Sequence, residues 1–163
     1  MISRVIFLMM LLALNSLHIC AAEESSKSNV KEAVKSVSIF KGVDGVTYST
    51  VGTKRGKYEK YLDRESAVTL SNDQLEKLIS DLKEAGFLSE KDRELKLRGG
   101  IPPESFTIVL SSDGQTRECK YYYHPESAIP EKFLAAFERL PEDKKPKIVA
   151  EILELNRKVL TDK

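Results

Sequence analysis

The stretch Thr116–Pro125, TRECKYYYHP, holds the residue types most able to do chemistry: one cysteine, three consecutive tyrosines and one histidine. A cysteine and a histidine at hydrogen-bond distance make a nucleophilic pair, and with further ligands they bind zinc. Exposed tyrosines beside a histidine are instead typical of a binding surface. The choice between these chemistries depends on how the strand and its turn place the side chains.

The turn Asp113–Gly114 predicts a two-residue hairpin loop, and such a loop fixes the register of the two strands. In this register nearly all the apolar residues share one face of the sheet, together with Cys119 and Tyr121. Tyr122 and His124 then lie on the opposite, polar face. The pattern therefore predicts a buried, unreactive cysteine, because apolar surroundings raise the pKa of a thiol.

Cys119 and His124 are five residues apart, which in an extended strand is about 16 Å, and they lie on opposite faces. A catalytic dyad needs contact at about 3 Å, and zinc needs several ligands with bonds of about 2 Å. His124 would also be the only histidine of the mature chain, because His18 lies in the leader described below. We predict no catalytic residues, no metal site and no cofactor.

The remaining functional interpretation of the stretch is an exposed binding surface formed by Tyr122 and His124. The structural alternative is that His124, which precedes Pro125, simply ends the strand. The sequence leaves both open.

The N-terminus has the layout of a secretory signal peptide, with Arg4 followed by ten apolar residues, VIFLMMLLAL, and then small residues. Cleavage after Ala22 gives a signal peptide over residues 1–22. Alternatively, Cys20 is the lipid-modified first residue of a lipoprotein. No later stretch approaches the about 20 apolar residues that span a bilayer. We therefore predict an exported protein, periplasmic or secreted, with no transmembrane segment in the mature chain.

The charges are balanced, with 26 basic and 25 acidic residues, and removal of Arg4 with the leader equalises them. A chain with no net charge has no long-range field to attract nucleic acid. We predict that nucleic acid is not a partner.

Hydrophobic patterns predict the elements of a single domain over residues 36–163, after a flexible tail over residues 23–35. Val43-Asp44-Gly45 indicates a first hairpin with a loop of either two or three residues, and residues 57–68 are a candidate edge strand. Ser71 and Gln74 form a capping box ahead of an amphipathic helix that ends at Gly86. After the second hairpin, two more helices follow. Grouped strands and helices predict an α+β fold, an antiparallel sheet from two hairpins with helices packed on one face.

The last helix, Lys147–Leu160, has an apolar surface wider than a single stripe. Packing against the sheet explains this surface, because the sheet needs a helical cover. A contact with a partner or a second copy is the other interpretation.

The order of a leader, a DG hairpin, the helix LSNDQLEKLISDLKEAGF, a second DG hairpin and a short P-x-x-F helix resembles small exported bacterial domains of unknown function. The resemblance covers residues 36–140 and implies the fold and an envelope location. Some such domains carry a cysteine pair in the first hairpin, where IFKGVDGVTYS has none. The resemblance therefore implies no activity and no site residues.

Taken together, the sequence predicts a non-catalytic exported domain that binds an unknown envelope or secreted protein. The alternatives are a small exported hydrolase using His124 or carboxylates, and a structural envelope lipoprotein anchored through Cys20.

Overall fold

The computed structural model describes residues 34–54, 64–93 and 104–161. Five strands form one sheet: β1 (Ser36–Lys41), β2 (Asp44–Ser49), β3 (Glu65–Thr69), β4 (Ser105–Ser112) and β5 (Gln115–Tyr122). Three α-helices accompany it: α1 (Asn72–Glu84), α2 (Glu131–Glu138) and α3 (Lys147–Thr161). The strand order is β3-β2-β1-β4-β5, with mostly antiparallel pairing. The predicted α+β class is confirmed.

The second hairpin has the predicted register. Asp113 and Gly114 both have positive φ, 53° and 73°, as a two-residue type I′ turn requires. Ile108 pairs with Cys119, and the ladder continues to Ser105 and Tyr122 at its far end. The Asp-Gly dipeptide thus fixes the face of every side chain in this hairpin.

In the first hairpin the turn prediction was wrong. Lys41 pairs with Asp44, so the loop is Gly42–Val43 and the Asp44–Gly45 dipeptide lies inside β2. Gly42 supplies the positive φ, 59°, at the first turn position. The loop therefore has two residues, one of the two lengths that the sequence left open.

Gly45 is needed in β2 for a different reason. It pairs with Phe40 on the neighbouring strand, and the Phe40 ring occupies the space where a Gly45 side chain would stand. A Cβ at Gly45 would overlap the Phe40 ring and lie 2.6 Å from the Ile39 carbonyl oxygen. Glycine here permits a close approach of an aromatic ring.

The candidate edge strand over residues 57–68 is seen as β3, within the part of that range that the structure describes. It pairs with β2 in parallel, Gly45 opposite Glu65 and Ser49 opposite Thr69, so the sheet is not purely antiparallel as predicted. A parallel neighbour cannot be joined by a tight turn and needs a longer crossover connection.

The first helix follows the predicted signals. Ser71 is the N-cap: its Oγ accepts a hydrogen bond from the Gln74 N–H at 3.2 Å, and Gln74 Oε1 accepts from the Ser71 N–H at 3.0 Å. Gly86, with φ of 85°, follows the helix in the left-handed conformation. The capping box and the glycine stop are both confirmed.

The helices and one face of the sheet enclose a single core. On the sheet its members come from alternate positions of the strands and therefore share one face. The largest fully buried side chains are Tyr48, Tyr121, Phe87, Phe106, Phe133 and Phe137. Phe87 and Phe133 meet edge to face, with ring centroids 5.2 Å apart, an arrangement that aromatic pairs prefer.

The buried hydroxyl of Tyr48 predicts a substitution that the core tolerates. Tyr48 is fully buried, its hydroxyl has no hydrogen-bond partner among the described residues, and burial raises its pKa above the usual value. Tyr48→Phe removes this polar atom and keeps the ring that lies 6.3 Å from Phe137. We expect the free energy of unfolding to stay the same or to rise by up to about 1 kcal/mol in urea denaturation. Tyr48→Leu is the control, and a large loss in Tyr48→Phe would contradict the absence of a partner.

Some of the sequence predictions lie outside the described residues. These are the signal peptide over residues 1–22, with Cys20, and all but the last two residues of the tail over 23–35. In the parts of the chain that the structure describes, no helix is both long and apolar enough to cross a membrane.

Candidate binding surface at the end of β5

Tyr122 is the last residue of β5, and the register places it on the sheet face opposite the core, as predicted. Its ring is partly exposed, and Lys120 Nζ lies 5.6 Å from the ring centroid. Residues two apart on a strand share a face, so the sequence contained a signal for this contact. The arrangement is a cation–π pair on the outer face.

His124 lies two residues beyond the end of β5, and its side chain is exposed. Its N–H donates to the Tyr122 carbonyl oxygen at 2.7 Å, and its own carbonyl oxygen accepts from the Ser127 N–H at 2.9 Å. The imidazole Nδ1 accepts from the Glu126 N–H at 3.3 Å. His124 therefore contributes to the turn through both its backbone and its imidazole Nδ1.

Tyr122 and His124 are thus brought together through the backbone of one turn. The Tyr122 N–H also donates to the Ser127 carbonyl oxygen at 2.8 Å, which closes the turn onto the end of the strand. The strand ends at Tyr122, two residues before His124, and the binding interpretation of the two residues stays a prediction. The candidate binding surface is defined here as Lys120, Tyr122 and His124.

The free edge of β5 is covered at this end. The Arg93 N–H donates to the Lys120 carbonyl oxygen at 3.2 Å, and the Lys120 N–H donates to Asp92 Oδ1 at 3.3 Å. Together with the bond from Tyr122 to Ser127, these contacts occupy outward-facing backbone groups at Lys120 and Tyr122. Asp92 and Arg93 thereby connect the candidate binding surface to the rest of the domain through hydrogen bonds to the backbone of Lys120.

The core face of the same strand carries Cys119, which is fully buried. Its thiol points to the Glu90 carbonyl oxygen at 3.7 Å. Burial raises the pKa of the thiol and outweighs the opposing charge of Arg117. Tyr121 is buried beside it. The predicted core positions of both residues are confirmed, and Tyr123 packs at the edge of the core.

The burial of Cys119 gives a kinetic prediction. We expect the thiol of the mature chain to react with an aromatic disulfide reagent at least about 1,000-fold more slowly in buffer than in urea, because reaction requires unfolding. Thr116→Cys combined with Cys119→Ala is the control, because Thr116 is exposed on the same strand and its cysteine should react at once. Rapid reaction of native Cys119 would contradict the burial.

Two further polar groupings stand apart from this surface. On the outer face the Ser38 and Thr47 hydroxyls lie 2.7 Å apart, and Thr47 donates to the buried Glu65 carboxylate. Asp81 is a buried carboxylate between α1 and α2. Within the described residues, no group of three or more His, Cys, Asp or Glu side chains is placed to hold a metal ion.

The last helix packs as the sheet requires. Val149, Ile152, Leu153 and Val159 of α3 are buried in the core. Ile148, Leu155 and Leu160 are partly buried against it and give the helix its remaining apolar surface. A partner contact through Lys147–Leu160 stays a prediction.

No family model matches this chain, and no curated protein or solved structure matches it either. The resemblance to small exported bacterial domains therefore stays a prediction.

Proposed function

We propose that the chain is a non-catalytic exported domain that binds another envelope or secreted protein through the candidate binding surface. The observation that carries this proposal is the pairing of Lys120 with Tyr122 on the outer face of β5, 5.6 Å from cation to ring centroid. Tyrosine is among the residues that dominate binding energies at interfaces, because a large ring is ordered at a small entropic cost.

The support beneath this surface favours binding. The opposite face of β5 is fixed in the core by Cys119 and Tyr121, both fully buried. The turn after the strand is closed by the bonds of His124 and Ser127. A surface that is ordered before it meets its partner loses little conformational freedom on binding.

The chemistry of the surface indicates the chemistry of the partner. Lys120 presents a cation, Tyr122 a half-exposed ring, and His124 an exposed imidazole. A complementary surface would present a carboxylate or a backbone carbonyl beside an apolar side chain. We therefore expect the partner to carry an acidic, partly apolar patch.

Site-specific photocrosslinking tests the proposal. The mature chain would carry p-benzoylphenylalanine in place of Tyr122 and be exposed to the exported fraction of its own host. Matched positions are Gln115, exposed at the far end of β5, and Glu154, exposed on α3. We expect one discrete adduct from position 122, weakened by Lys120→Glu. An adduct from position 154 alone would favour the helix, and the absence of an adduct at 122 would overturn the proposal.

Export is tested separately by the intact mass of the protein recovered from outside the cytoplasm. We expect a chain that begins at Glu23. A diacylated chain that begins at Cys20 would favour the lipoprotein. A chain that retains Met1 and stays in the cytoplasm would overturn export.

A further inference from the structure

A groove of about 350 Å³ lies between α1 and the end of α2. Leu78, Leu140 and Pro141 line it with apolar atoms, and Lys77 and Arg139 stand at its rim. Asp81 also lines the groove, although its side chain is only 5% exposed. A cavity of this size with apolar walls and a few charged groups is within the range of small-molecule sites.

The two oxygen atoms of the Asp81 carboxylate differ in their hydrogen bonding. Oδ1 accepts a hydrogen bond from Lys77 Nζ at 2.8 Å. Oδ2 is buried and forms an ion pair with Arg139 Nη1 at 3.0 Å, but among the described residues no aligned hydrogen bond reaches it. A buried carboxylate oxygen without an aligned donor is unusual in folded proteins and indicates a position for one.

The two cationic side chains that pair with Asp81 are mostly exposed to solvent. The Lys77 and Arg139 side chains are 68% and 59% exposed, so their ion pairs gain little over solvation in water. Burial alone would raise the pKa of Asp81, but these cations outweigh it and the pKa lies below its usual value. Asp81 is therefore charged at neutral pH, and Arg139 can leave at a small cost.

We propose that this groove binds a small alkylammonium or alkylguanidinium compound. Its cationic head would displace Arg139 and donate to Asp81 Oδ2, a charge-assisted bond in a desolvated position. Its apolar chain would cover Leu78, Leu140 and Pro141. The site is on a different part of the domain from β5, so this proposal does not rest on the proposed function.

Amide chemical shifts of the ¹⁵N-labelled mature chain, titrated with n-hexylammonium, test the proposal. We expect saturable shifts at Leu78, Ala136 and Leu140, with a dissociation constant of about 1 mM, as a small fragment allows. Hexanoate and hexanol, which carry the opposite charge or none, are the matched ligands and should leave these amides unshifted.

Three variants separate this site from a non-specific effect. Asp81→Asn should weaken binding by about tenfold or more, and Asp73→Asn, exposed in the same groove, should change it by less than about twofold. Arg139→Gln keeps Asp81 and removes the competing cation, so it should bind more tightly, and this holds whether or not Asp81→Asn folds. Binding of hexanoate, weaker binding by Arg139→Gln, or no saturable shift would each overturn the proposal.

Discussion

Gly45→Ala is expected to lower the free energy of unfolding by about 2–3 kcal/mol, the cost of overpacking a tightly packed position. The added Cβ would overlap the Phe40 ring and stand 2.6 Å from the Ile39 carbonyl oxygen. A ring can rotate away, but the carbonyl belongs to the β1 ladder and cannot move without loss of pairing. Urea denaturation followed by circular dichroism measures the change.

Two controls distinguish overlap from a general intolerance of glycine replacement. Gly42→Ala adds a Cβ to open space in the first turn, so its cost comes from the positive φ alone, about 1 kcal/mol. In the double variant Phe40→Ala, Gly45→Ala, the loss of unfolding free energy should be smaller than the sum of the two single losses, because the Phe40 ring that the new Cβ would overlap is then absent. A loss in Gly45→Ala no larger than that in Gly42→Ala would contradict the close approach.

Asn156→Leu is expected to lower the free energy of unfolding by about 2–3 kcal/mol, although it adds an apolar residue to the core. Asn156 is fully buried in α3. Its Oδ1 accepts from the Ile129 N–H at 3.1 Å, and its Nδ2 donates to the Ile152 carbonyl oxygen at 2.9 Å. Leucine keeps the branched shape of the side chain and leaves the Ile129 N–H buried without an acceptor.

Asn156→Asp is the informative companion, because its effect depends on pH. The carboxylate can accept from Ile129 N–H but repels the Ile152 carbonyl oxygen, so burial and repulsion raise its pKa in the folded state. Between the unfolded value of about 3.9 and this raised value, the folded state binds the additional proton. Stability relative to the parent chain should therefore fall as pH rises through this window. A pH-independent difference would show that the side chain is not buried against Ile152.

Local signals predicted the elements whose chemistry is contained in a few neighbouring residues. Ser71 and Gln74 determine where α1 begins, and Asp113–Gly114 determines the register that buries Cys119. Each of these acts within four residues, so a single sequence suffices. The faces of Tyr121 and Tyr122 follow from that register with no further information.

The first hairpin shows where local signals compete. Asp44–Gly45 is a favourable turn dipeptide, and Gly42–Val43 is a weaker one by composition. The turn falls at Gly42, because Gly45 is needed inside β2, where the Phe40 ring of β1 approaches the backbone. That contact depends on strand pairing, which the turn itself must first define.

The parallel pairing of β3 and the groove at Asp81 depend on contacts between distant parts of the chain. The residues of β3 show no feature that selects β2 as a parallel neighbour. Asp81 lies among charged residues of α1 such as Lys83 and Glu84, and no local signal marks its carboxylate as buried. Only the approach of α2, with Arg139, buries its carboxylate.

The covered edge of β5 determines what kind of recognition is open to a partner. The main-chain donors and acceptors of Lys120 and Tyr122 already bond to Asp92, Arg93, His124 and Ser127, so an incoming peptide cannot extend the sheet there by strand addition. The same cover protects this end of the strand from aggregation through edge pairing. A partner that binds here must contact the side chains on the outer face of the sheet. The affinity of the complex should therefore depend on the identity of Lys120 and Tyr122 and little on the ability of the partner to form a strand.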